Sequence, residues 1–203
     1  MAKLNFALAA LALVALCAVA NASYKMPPPS KRPPPKKPPM GWRMRPEVPA
    51  GSISAWSYLM PVEGKESYGK GSVQLVIPPA GMGDGWVWIS LEGWMHDVIM
   101  MHIHEHNTTL GNPIRLDLLP RLPPGAPAGA VKYYPPLDYY GQLGATIYFN
   151  STDIDRWNPT MPGWDYFLGQ LKMGMLYANV HTVANPGGEI MGDFKCADMC
   201  SWM

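Results

Sequence analysis

Four of the chain's five histidines fall in two short segments, Met101-His102-Ile103-His104-Glu105-His106 and Tyr177-Ala178-Asn179-Val180-His181-Thr182. Neutral imidazole is a good donor for copper and zinc. A His-x-His pair on a strand puts two imidazoles on one face, ~7 Å apart at Cα, close enough to share an ion. A third imidazole from a neighbouring strand completes a three-histidine set. The pattern therefore names His102, His104 and His181 as candidate ligands for copper or zinc. His106 or His96 is the candidate fourth, with Glu189 and Asn179 as hydrogen-bonding residues behind them.

Strand phase is what must position these rings, because successive side chains of a strand point to opposite faces. Ile99, Met101 and Ile103 form one row, and His102, His104 and His106 the other. In the second segment Leu176, Ala178 and Val180 form the apolar row, opposed by Tyr177, Asn179 and His181. The expectation is two strands of one β-sandwich, with the imidazoles on its solvent side under loops.

The rest of the body reads the same way. Short β-branched or aromatic runs occur at 52–59, 72–77, 86–91, 98–106, 114–119, 145–150, 176–183 and 189–194. Glycine- and proline-rich turns such as Gly81-Met82-Gly83-Asp84-Gly85 and Asn185-Pro186-Gly187-Gly188 separate them. Many short strands with such punctuation imply an all-β fold, here one antiparallel β-sandwich or Greek-key barrel. One short helix is expected over 164–173, with Phe167 and Leu171 one turn apart. A surface loop is expected over 122–137, with Tyr139-Tyr140 beyond it.

Composition divides the chain before this body begins. Lys3, the apolar run Leu4 to Val19 and Ala20-Asn21-Ala22 make residues 1–22 a secretory signal peptide. Residues 23–49 are a basic arm, with Pro27-Pro28-Pro29, Pro33-Pro34-Pro35 and Pro38-Pro39 among Lys25, Lys31, Arg32, Lys36 and Lys37. Proline fixes φ and removes a donor, so this arm is extended, solvated and disordered. It serves as a stiff spacer or as a tether to anionic polymer. Residues 50–195 make one domain, and 196–203 a tail. The formal net charge is +1 with the basic excess in the arm, which argues against nucleic acid as partner. No segment of the mature chain is apolar enough to span a bilayer.

Cys17 leaves with the signal, so Cys196 and Cys200 remain, most simply as one local disulfide. Asn107-Thr108-Thr109 and Asn150-Ser151-Thr152 are glycosylation sequons at strand ends. Trp86 and Trp88 are in phase and expected to face the core or an adjoining sheet. Glu92, Asp97, Glu105, Asp153, Asp155 and Glu189 have no glycosidase spacing and read as solvated surface. No phosphate loop, nucleophile elbow or reactive-cysteine motif is present, so a non-catalytic role is favoured over an enzyme.

His102-Ile103-His104 followed by Gly111-Asn112-Pro113-Ile114 resembles the HIH…G…GP segment of the chordin-type (CHRD) domain. Tyr177-Ala178-Asn179-Val180-His181-Thr182, with Asn185 to Ile190 and Gly192, resembles that family's YVNVHT…NPxGEIRG ending. Met191 stands where the family usually has arginine, and Asp193 where it often has glutamine. The likeness runs from about Ala55 to Phe194.

It implies a secreted, extracellular all-β module whose partner is matrix, cell-wall polymer or another secreted protein. It implies no reaction. The Cys-rich modules with which chordins bind growth factors are absent. The segment His102-Ile103-His104-Glu105 also resembles the HVHE segment of Cu/Zn superoxide dismutase, which implies a copper site outside a β-barrel. Against dismutase chemistry, no zinc set is evident, and no steering arginine follows His181.

Overall fold

The computed structural model describes residues 45–120, 137–155 and 163–196. The expected signal peptide, the arm up to residue 44, most of the 122–137 loop and Cys200 lie outside them. Residues 45–49, the end of the expected arm, carry neither helix nor strand.

Eight strands form the body: β1 (Ile53–Pro61), β2 (Lys70–Ile77), β3 (Gly85–Glu105), β4 (Ile114–Leu119), β5 (Leu137–Phe149), β6 (Leu176–Thr182), β7 (Ile190–Asp193) and β8 (Lys195–Cys196). Two helices, α1 (Ser151–Asp155) and α2 (Gly163–Lys172), separate β5 from β6. The strands run in the order β2-β1-β7-β6-β3-β4, and β2 pairs with β3 as well, closing an antiparallel barrel. β5 adds to the first half of β3, and β8 to β1.

β3 organises this barrel. The two expected strands 86–91 and 98–106 are one 21-residue strand, bent in the middle. The bend falls at Gly93 (φ +95°) and Asp97 (φ +49°), and pairing with β5 shifts register between Met95 and Val98. A side chain at Gly93 would meet the Tyr68 carbonyl oxygen at 2.0 Å, so only glycine fits the crossing. The first half of β3 pairs with β2 and β5, the second with β4 and β6.

One apolar row from each strand fills the barrel: Ala55 and Leu59, Val73 and Leu75, Val87 and Ile89, Met101 and Ile103, Ala178 and Val180. Burying each large aliphatic side chain contributes about 1.5–3 kcal/mol. Helix α2 lays Phe167 and Leu171 on the same core, as their one-turn spacing implies.

Trp86 is buried, 4% exposed, but it and Trp88 lie in the phase opposite to Val87 and Ile89, which point into the barrel. Two expectations are corrected. The strand expected over 145–150 begins at Leu137, so Tyr139 and Tyr140 lie in β5 opposite Met95 and Trp94. The single helix has a short companion in α1.

Candidate functional site

β3 and β6 run antiparallel with His102 opposite Asn179 and His104 opposite Tyr177. Directly opposed residues share a face. The two segments therefore bring all their imidazoles to one side, away from Met101, Ile103, Ala178 and Val180. The phase read from the sequence holds, and His102, His104 and His181 converge. Their ring centroids lie 5.3–5.5 Å apart, pair by pair. One nitrogen from each ring lies within 4.8 Å of the other two.

Off the core side as expected, the three rings are covered: His102, His104 and His181 are 1%, 9% and 4% exposed. Two loops close over them, and each hands a backbone carbonyl to a ring. His104 Nδ1 donates to Asn112 O at 2.9 Å, and His181 Nδ1 donates to Pro186 O at 2.8 Å. The first loop is locked by paired bonds between Asn107 and Asn112, N to O at 2.8 Å and N to Oδ1 at 2.9 Å.

Those carbonyls decide the proton positions. A carbonyl only accepts, so each of these two Nδ1 atoms carries the hydrogen, and each Nε2 presents a lone pair. His104 Nε2 and His181 Nε2 then face each other at 3.3 Å, acceptor against acceptor. Two nitrogens bound to one tetrahedral zinc at about 2.0–2.1 Å would stand about 3.3 Å apart.

His102 is oriented from the other side. Its Nε2 faces Asp117 Oδ1 at 3.5 Å, the residue paired with it on β4. Each of the three rings thus has a hydrogen-bond acceptor behind it, the arrangement that orients metal-bound histidine.

The surroundings keep the rings neutral. Burial, then the neighbouring His181 and His104, pushes His102 down to about 3. Burial takes His104 down to about 4, with the Asn112 carbonyl opposing and His181 adding to the fall. Burial also lowers His181, against the Pro186 carbonyl. A neutral imidazole is the form that binds metal.

The remaining candidates fall into place around this trio. His106, the candidate fourth ligand, bonds to Asp193 at 2.7 Å and stacks on Tyr177, which in turn stacks on His104. His96 pairs with Asp138 and packs edge-on against Trp94, on the far side of the β3 bend. Glu189 is buried, not solvated, and touches no histidine. It accepts from Ser67 Oγ (2.6 Å), Thr182 Oγ1 (2.8 Å) and Asn185 Nδ2 (3.3 Å), fixing the turn that carries Pro186.

Asn179 braces the same turn through Nδ2 to Gly187 O at 3.2 Å. Gly188 (φ +120°) packs against it so closely that a Cβ would lie 2.3 Å from Asn179 Oδ1. Both residues thus act on His181 through its loop.

Glu105 also departs from expectation, being buried and paired with Arg115 Nη2 at 2.6 Å. Asn107 caps a short turn and donates from Nδ2 to Glu105, whereas Asn150 is exposed. Cys196 lies in β8 beside the core.

Asp117 is the site residue that sequence reading missed. Its signal was two charges, Arg115 and Asp117, in phase within an otherwise aliphatic run.

A family model for the CHRD domain matches residues 70–194. The match begins after β1, although β1 is part of the same barrel. No curated protein and no solved structure matches the chain.

Proposed function

We propose that this chain, which belongs to the CHRD domain family, is an extracellular, non-catalytic β-barrel module that holds one copper or zinc ion on His102, His104 and His181. CHRD domains occur in extracellular proteins. Among the described residues no helix is long and apolar enough to cross a membrane. The observation that carries the metal reading is the 3.3 Å approach of two ring nitrogens, each left a bare acceptor by a carbonyl behind it. Buried acceptors need a donor or a cation between them. A soft divalent or monovalent metal satisfies both lone pairs, and His102 supplies a third.

Three neutral imidazoles with no protein carboxylate on the ion suit copper or zinc better than calcium or magnesium, which take oxygen ligands. Dismutase-type chemistry is disfavoured, since Arg115 is spent on the buried Glu105 and does not face the trio. The role assigned is therefore binding, with the ion joining β3, β6 and both covering loops.

Elemental analysis of the purified mature protein tests this reading. Native protein should carry about one equivalent of copper or zinc, and His104→Ala close to none. Equal metal content in the two would overturn it.

A further inference from the structure

We propose that Asn150 carries an N-linked glycan and that the first sugar of this glycan lies in the pocket beside it, against Trp164. The proposal rests on the extracellular half of the proposed function, because it requires passage through a secretory pathway. It is independent of the histidine trio and of the metal.

The two sequons stand in different surroundings. Asn107 lies in a loop over the trio, with its side-chain amide engaged at both ends. Its Oδ1 accepts from Leu110 N at 3.2 Å, and its Nδ2 donates to the buried Glu105 at 3.2 Å. A sugar on that nitrogen would crowd the carboxylate that Arg115 and Tyr166 also hold. Asn150, Ser151 and Thr152 are all exposed, where β5 passes into α1. Asn150 Oδ1 accepts from Thr152 N at 3.0 Å, and its Nδ2 has no partner among the described residues.

Beside Asn150 is a pocket of about 590 Å³. That volume falls within the ~300–1,000 Å³ typical of small-ligand sites. Asn150 and Ser151 line it, together with Pro79, Asp84, Trp164 and Leu168. Trp164 is half-buried, packed on Phe149 with ring centroids 6.1 Å apart. Gly81 and Gly83 also line the pocket, both at positive φ, and no atom lies within 4 Å of where a Cβ would stand on either. Their turn therefore leaves open space.

These features select a sugar. A pyranose ring has an apolar face, which suits an indole and a proline, and a hydroxyl rim, which suits Asp84 and the bare backbone of the glycine turn. A glycan on Asn150 is already tethered at the pocket, so its high effective concentration lets weak contacts hold it. In the transfer step, Asn150 Nδ2 forms a bond to C1 of the sugar. The bond from C1 to the oxygen of a polyprenyl diphosphate donor breaks, the diphosphate leaves with the electron pair, and the amide loses one proton.

The test uses the full mature chain, from residue 23, exported by a eukaryotic host under the host's own leader. Export under the chain's own first 22 residues is a separate measurement, and its failure would count against the extracellular reading alone. Peptide mass spectrometry should find a glycan on Asn150 and none on Asn107. Thr152→Ala removes the sequon but keeps Asn150 and its bond to the backbone, and it should lose the glycan. Trimmed to a single N-acetylglucosamine, the wild type should show nuclear Overhauser contacts between the acetyl methyl and the Trp164 ring. The trimmed protein should melt about 2–4 °C above Thr152→Ala, a gap that should close when both carry Trp164→Ala. An exported protein bare at Asn150, or a first sugar without contact to Trp164, would overturn the proposal.

Discussion

Two buried polar clusters sit within a few residues of one another on β3, and they are built on opposite principles. The Glu105 cluster is complete in itself. Its carboxylate takes Arg115 Nε and Nη2 at 2.7 and 2.6 Å, the Tyr166 hydroxyl at 2.8 and 3.0 Å, and Asn107 Nδ2 at 3.2 Å. Charge and lone pairs are matched by the protein alone, and Arg115 also lies over the Tyr166 ring at 5.1 Å. In the histidine trio, His104 Nε2 and His181 Nε2 meet as two acceptors at 3.3 Å, each ring oriented from behind by a carbonyl. One cluster ties β3, β4 and α2 together. The other leaves two buried acceptors facing each other, the feature on which the proposed metal site rests.

The largest test of this contrast removes a partner from the complete cluster. Arg115→Leu leaves Glu105 as a lone buried charge and should cost about 3–5 kcal/mol of stability. Replacing Glu105 and Arg115 together by leucine should cost far less. Chemical denaturation of the three proteins reads the difference. A single variant as stable as the wild type would show that the pair does not hold the barrel.

Adding metal probes the other cluster. Zinc or copper at 100 times its Kd should stabilise the metal-free protein by about 2.7 kcal/mol. For a domain of this size that corresponds to roughly 5–10 °C in melting temperature. His104→Ala should abolish the shift while leaving Arg115–Glu105 intact. A shift of the same size in His104→Ala would place the ion elsewhere.

Asp117→Asn should be milder. It keeps the shape behind His102 but removes the charge, and calorimetric titration should show metal affinity reduced about 10–100-fold. Full affinity in this variant would mean that Asp117 does not orient the ring.

The smallest effect is one of pH. His102 and His104 are depressed in the folded protein to about 3 and about 4, from an ordinary 6.5, and His181 is lowered as well. Below 6.5 the unfolded chain therefore binds protons that the native state refuses. This contribution to stability is fully present above 6.5 and is lost as pH falls toward 4. Between pH 7 and pH 6 the loss should be somewhat under 1 kcal/mol per histidine, read by urea denaturation of metal-free protein. A flat profile in the wild type would contradict the burial of neutral rings.

The trio was legible because its two segments alternate cleanly. Where one row is aliphatic and the other imidazole, strand phase settles which faces the core. The same logic fails for Trp86-Val87-Trp88-Ile89, where both rows are apolar and only the barrel's filling by Val87 and Ile89 turns the indoles outward. Burial of the trio was hidden for another reason. It depends on backbone carbonyls of Asn112 and Pro186, whose positions come from loop geometry rather than residue type.

Glu105 looked like a scattered carboxylate because its partner Arg115 is 10 residues away on the next strand, and Asp117 was missed because His102 is 15 residues away. The long β3 was expected as two strands, 86–91 and 98–106; Gly93 and Asp97, both at positive φ, bend it without ending it.

X-ray absorption at the metal edge of the purified native protein tests the three-histidine centre most directly. It should show at least three nitrogen neighbours at about 2.0–2.1 Å with the multiple-scattering pattern of imidazole, lost in His104→Ala. A spectrum dominated by water or carboxylate oxygen, or one that His104→Ala leaves unchanged, would contradict the site.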